Sequence, residues 1–320
     1  MKKILAAGAA LALLAGCGAD DDDGITVGLS YVPDVQFFPF YVAADQGFFE
    51  DAGVDVTIRH HGAQEPLFTA LATGEEDILY AGGDEVMFAR AEGIDVVNFA
   101  TLYQTYPVTI IVAEDSDIES PADLDGRSLG LPGEYGANWF GTLAMLDAYD
   151  VDVDIRSIGF TQMAALSRGD VDAVVGFVNN DAVAMESQGF DVRTIDLAPD
   201  LPLIGPGLST MTDSLDENSD DYAAMLDGLE MAIDFADENP EEVLDIVGEY
   251  VPGMTDPEVR EAARLTFEAT LPLYQGEGTV GIQDTDRWAD MSEFMYRSGI
   301  ITVEVPADEA MTTEIIDSRG

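Results

Sequence analysis

From Ile25 to Leu197, apolar runs of strand length alternate with segments of helical period, and this alternation limits the folds open to the chain more than any other feature. A first series runs Ile25 to Tyr31, a helix near Phe40 to Asp51, Val54 to His60, a helix near Pro66 to Thr73, then the short buried runs Ile78 to Ala81, Val96 to Leu102 and Val108 to Ala113. A second follows with Ser128 to Leu131, a helix over Asn138 to Tyr149, Arg156 to Phe160, a helix ending at Arg168, Ala173 to Phe177, a helix ending at Gln188, and Val192 to Leu197. Two successive sets of βαβ units predict an α/β chain of two lobes. Beyond Leu208 only helical patterning is expected, with Trp288, Met291, Phe294 and Met295 spaced to face a core.

The expected division is 25–107 for the first part of lobe 1, 108–203 for lobe 2, and 204–320 for a return to lobe 1 with a helical C-terminal third. Ligands of open α/β sheets sit beyond the carboxyl ends of the strands, so two such lobes present a cleft to each other.

The N-terminus reads as an address. Met1, Lys2 and Lys3 precede an apolar run, Ile4 to Ala15, that is too short for a helix of about 20 residues to span a bilayer. Residues 1–16 are therefore expected to be a signal peptide. Leu14-Ala15-Gly16-Cys17 resembles a lipobox, in which Cys17 is lipidated and becomes the first mature residue, and 17–24 is an acidic tether. Cys17 is the only cysteine, which excludes internal disulfides, CxxC chemistry and a thiolate zinc site.

Charge narrows the classes further. Asp and Glu number 63 against 13 Lys and Arg, a net charge of −50, so no basic face can be assembled for nucleic acid. Both lysines lie in the signal segment, so the mature chain would keep arginine alone. With 47% hydrophobic residues the chain is not an acidic disordered one. Excess acid with lysine lost reads as the product of a high-salt habitat, a halophile.

Four segments at strand ends carry polar and aromatic residues together. They contain Asp34, Gln36 and Phe37; Asp84; Tyr135, Asn138 and Trp139; and Asn179 and Asn180. Aromatic faces stack on planar rings, and amides both donate and accept, so these nine residues are the candidate ligand contacts. Gly130, Gly133 and Gly136 give neither the dinucleotide fingerprint nor a phosphate loop, and Glu134 would repel phosphate. His60 and His61 are adjacent on a strand and point to opposite faces, which excludes joint chelation. No nucleophile and base pattern occurs, and neither a metal nor another cofactor is expected.

The stretches Val27 to Gln36, Ala43 to Val56 and Ser120 to Gly130 resemble the solute-binding proteins of ABC importers, in the branch that binds thiamine pyrimidine precursors, riboflavin and aliphatic sulfonates. Tyr106-Pro107-Val108, Gly169 to Val175 and Asn179-Asn180 support it. The resemblance implies a type 2 periplasmic-binding-protein fold and a monomer held outside the cell membrane by its lipid. Such a protein closes on a small molecule and docks on a permease with its ATPase. Sulfonate binders of this branch present small hydroxyl residues where this chain has Glu134 and Tyr135, which favours a heteroaromatic vitamin or precursor over taurine or another sulfonate. An enzyme of the same broad family needs cysteines; here Cys17 alone could serve, and it is committed to lipid.

Self-repulsion of this charge is screened at ~1 M salt, where the Debye length is about 3 Å, and unscreened in dilute buffer. The melting temperature should therefore fall when the protein passes from molar to millimolar KCl, as followed by circular dichroism. An unchanged melt would remove the halophile reading.

Overall fold

The computed structural model describes residues 24–62, 65–198, 200–276 and 278–319, so Cys17, the signal segment and nearly all of the tether lie outside the described residues. Ten strands are present: β1 (Ile25–Leu29), β2 (Val56–His60), β3 (Ile78–Gly82), β4 (Val96–Thr101), β5 (Val108–Ala113), β6 (Ser128–Leu131), β7 (Asp154–Ser157), β8 (Ala173–Phe177), β9 (Val192–Asp196) and β10 (Pro206–Met211). They form two five-stranded sheets of the same design, β2-β1-β3-β10-β4 and β7-β6-β8-β5-β9. Within each sheet one strand alone runs antiparallel to its neighbours: β10 between β3 and β4, and β5 between β8 and β9.

Those two strands are the ones that follow a crossing between lobes. The outward crossing occupies residues 102–107 and the return crossing residues 197–205. The outward crossing bonds to the head of β10 where the return crossing ends, with Leu102 N and Tyr103 N both donating to Pro206 O at 3.0 and 2.9 Å. Val108 pairs with Phe177 and Pro206 with Gly82, so each crossing enters its sheet at the carboxyl end of the parallel strands. That end is where the two lobes face.

Helices cover both faces of each sheet. On one face of lobe 1, the Ser219–Glu238, Pro240–Tyr250 and Pro257–Tyr274 helices pack with the Phe38–Asp45 helix around Phe38, Phe40, Tyr222 and Phe267. On the other face Trp288, Met291, Phe294 and Met295 of the Thr285–Arg297 helix are buried, as their spacing predicts. Phe140 and Ala144 of lobe 2 join this second core, so apolar packing ties the lobes together.

Three features depart from the sequence pattern. The helix expected over Phe40 to Asp51 is two, Phe38–Asp45 and Phe48–Ala52, because Gly47 takes a left-handed φ of 74° between them. The Gly83–Ala91 helix has no apolar periodicity to announce it and starts instead on a cap, Gly82 N donating to Glu85 Oε2 at 3.0 Å. Strand β10 (Pro206–Met211) lies where no strand is expected, since the pattern reads as helices from Leu208 onward. Its Pro206 and Gly207 disguise it, and the flanking β3 and β4 supply its pairing.

Gly207 admits no side chain: an added Cβ would lie 2.1 Å from Ala100 O. Gly207→Ala must push β10 off β4, and we expect a loss of ~1–3 kcal/mol, the usual range for overpacking, read as a lower denaturation midpoint in molar salt. An unchanged midpoint would mean that β10 is not clamped at this position.

Candidate ligand-binding site

The loop after β1 turns sharply because Asp34 Oδ1 accepts from Gln36 N at 3.0 Å and caps the 3₁₀ turn Val35–Phe37. Burial raises the Asp34 pKa above the ordinary carboxylate value. Phe37 is 2% exposed, with its ring edge-on to Tyr80 at 5.8 Å and tilted against His60 at 5.8 Å. It therefore supports the floor of the loop, in which Tyr31 is the exposed ring. His60 Nδ1 meets Tyr31 O at 3.1 Å and must carry the proton there, which leaves Nε2 to accept from Tyr41 at 3.0 Å. Burial lowers the His60 pKa and favours this neutral ring.

Where the lobes meet, Tyr106 on the outward crossing reaches both. Its hydroxyl lies 2.6 Å from Asp84 Oδ2, on the first turn of the Gly83–Ala91 helix, and 3.0 Å from Ala137 O, at the start of the Gly136–Tyr149 helix of lobe 2. One hydroxyl proton cannot serve two acceptors. Both bonds form only when Asp84 is protonated and donates to Tyr106, which then donates to Ala137. The surroundings favour that state: Asp84 is fully buried, and burial followed by the nearby Glu85 charge pushes its pKa up to about 7.

A second link between the lobes is Asn179, fully buried in the π-helical turn after β8. Thr270 gives its hydroxyl proton to Thr266 O at 2.7 Å, so it can only accept from Asn179 Nδ2, at 3.0 Å. This fixes the amide, whose Nδ2 also lies 3.4 Å from the Tyr103 hydroxyl and whose Oδ1 is buried without a partner. Asp181 in the same turn accepts from Phe177 N at 2.8 Å, and its pKa is raised by burial. Asn180 is half-buried beside it.

A cavity of about 570 Å³ opens between the lobes. Leu67, Phe68, Glu85 and Phe88 wall it from lobe 1, and Glu134, Tyr135 and Trp139 from lobe 2. Tyr135 is 59% exposed, while Trp139 is half-buried with its ring against apolar cores of both lobes. Asn138, one turn into the same helix, has a buried Oδ1 with no partner. A salt bridge, Arg297 to Asp147 at 2.6 Å, spans the lobes close to the Ser298–Ile300 side of the cavity.

The nine candidates thus fall into two groups. Asp34, Gln36, Phe37 and Asn179 lie around Tyr103 and Tyr274, the latter donating to Gln36 O at 3.0 Å, with Asn180 next to Asn179 in the same turn. Asp84, Tyr135, Asn138 and Trp139 gather around Tyr106 and the cavity. Sequence reasoning did not select Tyr103, Tyr106, Glu85, Asp181, Thr270 or Tyr274. Two tyrosines on a crossing beside Pro107 were a usable signal; nothing local marked Thr270 and Tyr274, which come from a distant helix.

Two α/β lobes of equal design, exchanged strands and a ring-lined cleft define a two-lobed protein of the periplasmic-binding-protein fold. The periplasmic aliphatic sulphonate binding protein SsuA of Escherichia coli shares this fold with a TM-score of 0.72, over 89% of this chain and 96% of that one, at 19% identity. The chain belongs to the NMT1/THI5-like family, whose model matches residues 34–243. It is similar to the riboflavin-binding protein RibY of Chloroflexus aurantiacus, 28% identical over 91% of this chain and 86% of the relative. It is also similar to the formylaminopyrimidine-binding protein of Halalkalibacterium halodurans, 24% identical over 97% and 98%.

The Asp84 geometry gives a pH dependence with a definite sign. The folded chain holds this proton up to a pH of about 7, whereas an unfolded aspartate releases it near 3.9, so between these values the native state binds more protons. Stability should fall as pH rises through that window and level off above it. Asp84→Asn, which keeps a donor for Tyr106, should melt higher than wild type at pH 8, with the gap closing towards pH 4. Parallel profiles would show that Asp84 is ionised throughout.

Proposed function

We propose that this protein is the extracytoplasmic solute-binding component of an ABC importer, anchored outside the cell membrane through a lipid on Cys17. It captures a small heteroaromatic vitamin or precursor, riboflavin or a thiamine pyrimidine precursor, and delivers it to the permease. The observation that carries this reading is the cavity between the lobes, walled by rings from both and of a size that suits a small organic ligand. Closing the lobes about the junction would bring Tyr135 onto one face of a flat ligand in the cavity, with the unpartnered carbonyl oxygen of Asn138 on the adjoining helix turn.

Capture rather than turnover fits the side chains at hand. His60 is committed to Tyr41 and Tyr31, His61 to Glu76 at 2.8 Å, and the described residues contain no cysteine. A sulfonate would gain most from cationic donors, and the charged residues of the cavity wall are Glu85 and Glu134, with only the hydroxyls of Tyr135 and Ser298 beside them.

Calorimetric titration of riboflavin, the thiamine pyrimidine and an alkanesulfonate should show binding of a heterocycle. Tyr135→Ala should weaken it about tenfold, the sum of a lost stacking contact and lost burial. Tight binding of the sulfonate alone would overturn the ligand class and leave the transport role in place.

A further inference from the structure

The cavity between the lobes has a one-sided chemistry. Its charged wall residues are Glu85 and Glu134, one from each lobe, set among Phe68, Phe88, Tyr135 and Trp139. Among the described residues no lysine, arginine or histidine lines it. The arginines are already engaged: Arg193 donates to the carbonyls of Ser116 and Ile118, and the other ten pair with carboxylates, Arg297 doing so with Asp147 close to the cavity's Ser298–Ile300 side. Glu85 Oε2 is held by Gly82 N, the Asp84 carboxyl stands next to it, and burial raises its pKa. It is a carboxyl without a counter-ion.

Aromatic faces attract positive charge, and a half-buried carboxylate is stabilised by a cation beside it. An anion meets the opposite. The free N–H groups at the start of the Gly136–Tyr149 helix could receive one, but Glu134 stands two residues before that start and Glu85 faces it from the other lobe. The global charge is no substitute for this local one. A net −50 draws any cation in dilute buffer, but ~1 M salt screens that attraction to about 3 Å, whereas a pair formed inside the cavity is screened far less. Preference that survives molar salt belongs to the wall.

We propose that the cleft takes a planar aromatic ring carrying a positive charge, a protonated amine or a quaternary nitrogen, with Glu85 as its counter-ion and Tyr135 as its stacking face, and that it rejects the same ring in anionic form. This rests on the cleft being the ligand site and narrows that reading from heteroaromatic rings to cationic ones.

Three probes of one shape test it: 4-amino-2-methylpyrimidine bearing at C5 an aminomethyl group, a hydroxymethyl group or the phosphate ester of the latter, titrated calorimetrically in molar KCl alongside riboflavin and an alkanesulfonate. The amine should bind at least about tenfold more tightly than the alcohol, with no measurable binding of the ester. Glu85→Gln, which keeps an acceptor for Gly82 N, should bring amine and alcohol to within about threefold of each other, chiefly by weakening the amine. Glu134→Gln, on an exposed residue with no structural bond to lose, should reduce the ratio in part. Equal binding of amine and alcohol by wild type, a ratio that survives both substitutions, or binding of neutral riboflavin alone would overturn the cationic ligand and leave the heteroaromatic reading intact. Binding of the sulfonate with none of the rings would overturn both.

Discussion

Everything in the cleft depends on how the chain passes between its lobes. Each crossing ends as an antiparallel strand inside the sheet it enters, β5 beside β8 and β9, β10 beside β3 and β4, so neither lobe can drift from the junction without breaking main-chain bonds on both sides of that strand. Both enter from the carboxyl ends of the parallel strands, which turns those ends towards each other. The residues carried on the crossings therefore arrive at the site without any loop being built for them. Tyr103 meets Asn179, and Tyr106 stands between Asp84 and Ala137.

This explains which parts of the molecule were legible in sequence. Strands such as β5 and β8 announce themselves as apolar runs because both faces are covered, and the loops that follow parallel strands could be picked out by their glycines and aromatic residues. Strand β10 could not, since its identity comes from β3 and β4 and not from its own Pro-Gly start. The same distinction holds in the site. Asp34 and Tyr135 lie in loops, and Trp139 in the first turns of the helix that follows, whose places follow from the βαβ order. Thr270 and Tyr274 come from a helix whose packing on lobe 2 no local pattern encodes, although they orient Asn179 and bind Gln36 O. Phe37 was legible as an aromatic residue at a strand end, but its burial against Tyr80 and His60 depends on neighbours distant in the chain.

The acids of this chain divide by environment. Most lie exposed, where water and salt ions accommodate them, and a minority are held by arginine, as Asp154 is by Arg156 at 2.6 Å. Asp34, Asp84, Glu85 and Asp181 differ. They are partly or wholly removed from water at the lobe junction, without a cation, and each has a raised pKa with burial as its main cause. Carboxyls so placed lower the stability of the folded chain at neutral pH and are suited to a role in binding, where a ligand can supply what the fold withholds.

The pairing of β4 has a consequence for the order in which the molecule can be made. Lobe 2 draws its whole sheet from one continuous stretch, β5 to β9, and can complete it as soon as that stretch is available. Lobe 1 cannot. Within its sheet β4 is bonded to β10 alone, so a chain that has emerged only as far as residue 200 leaves β3 and β4 with a gap between them and two unpaired edges. For a polypeptide synthesised from its N-terminus, the lobe that appears first is thus the lobe that must finish last.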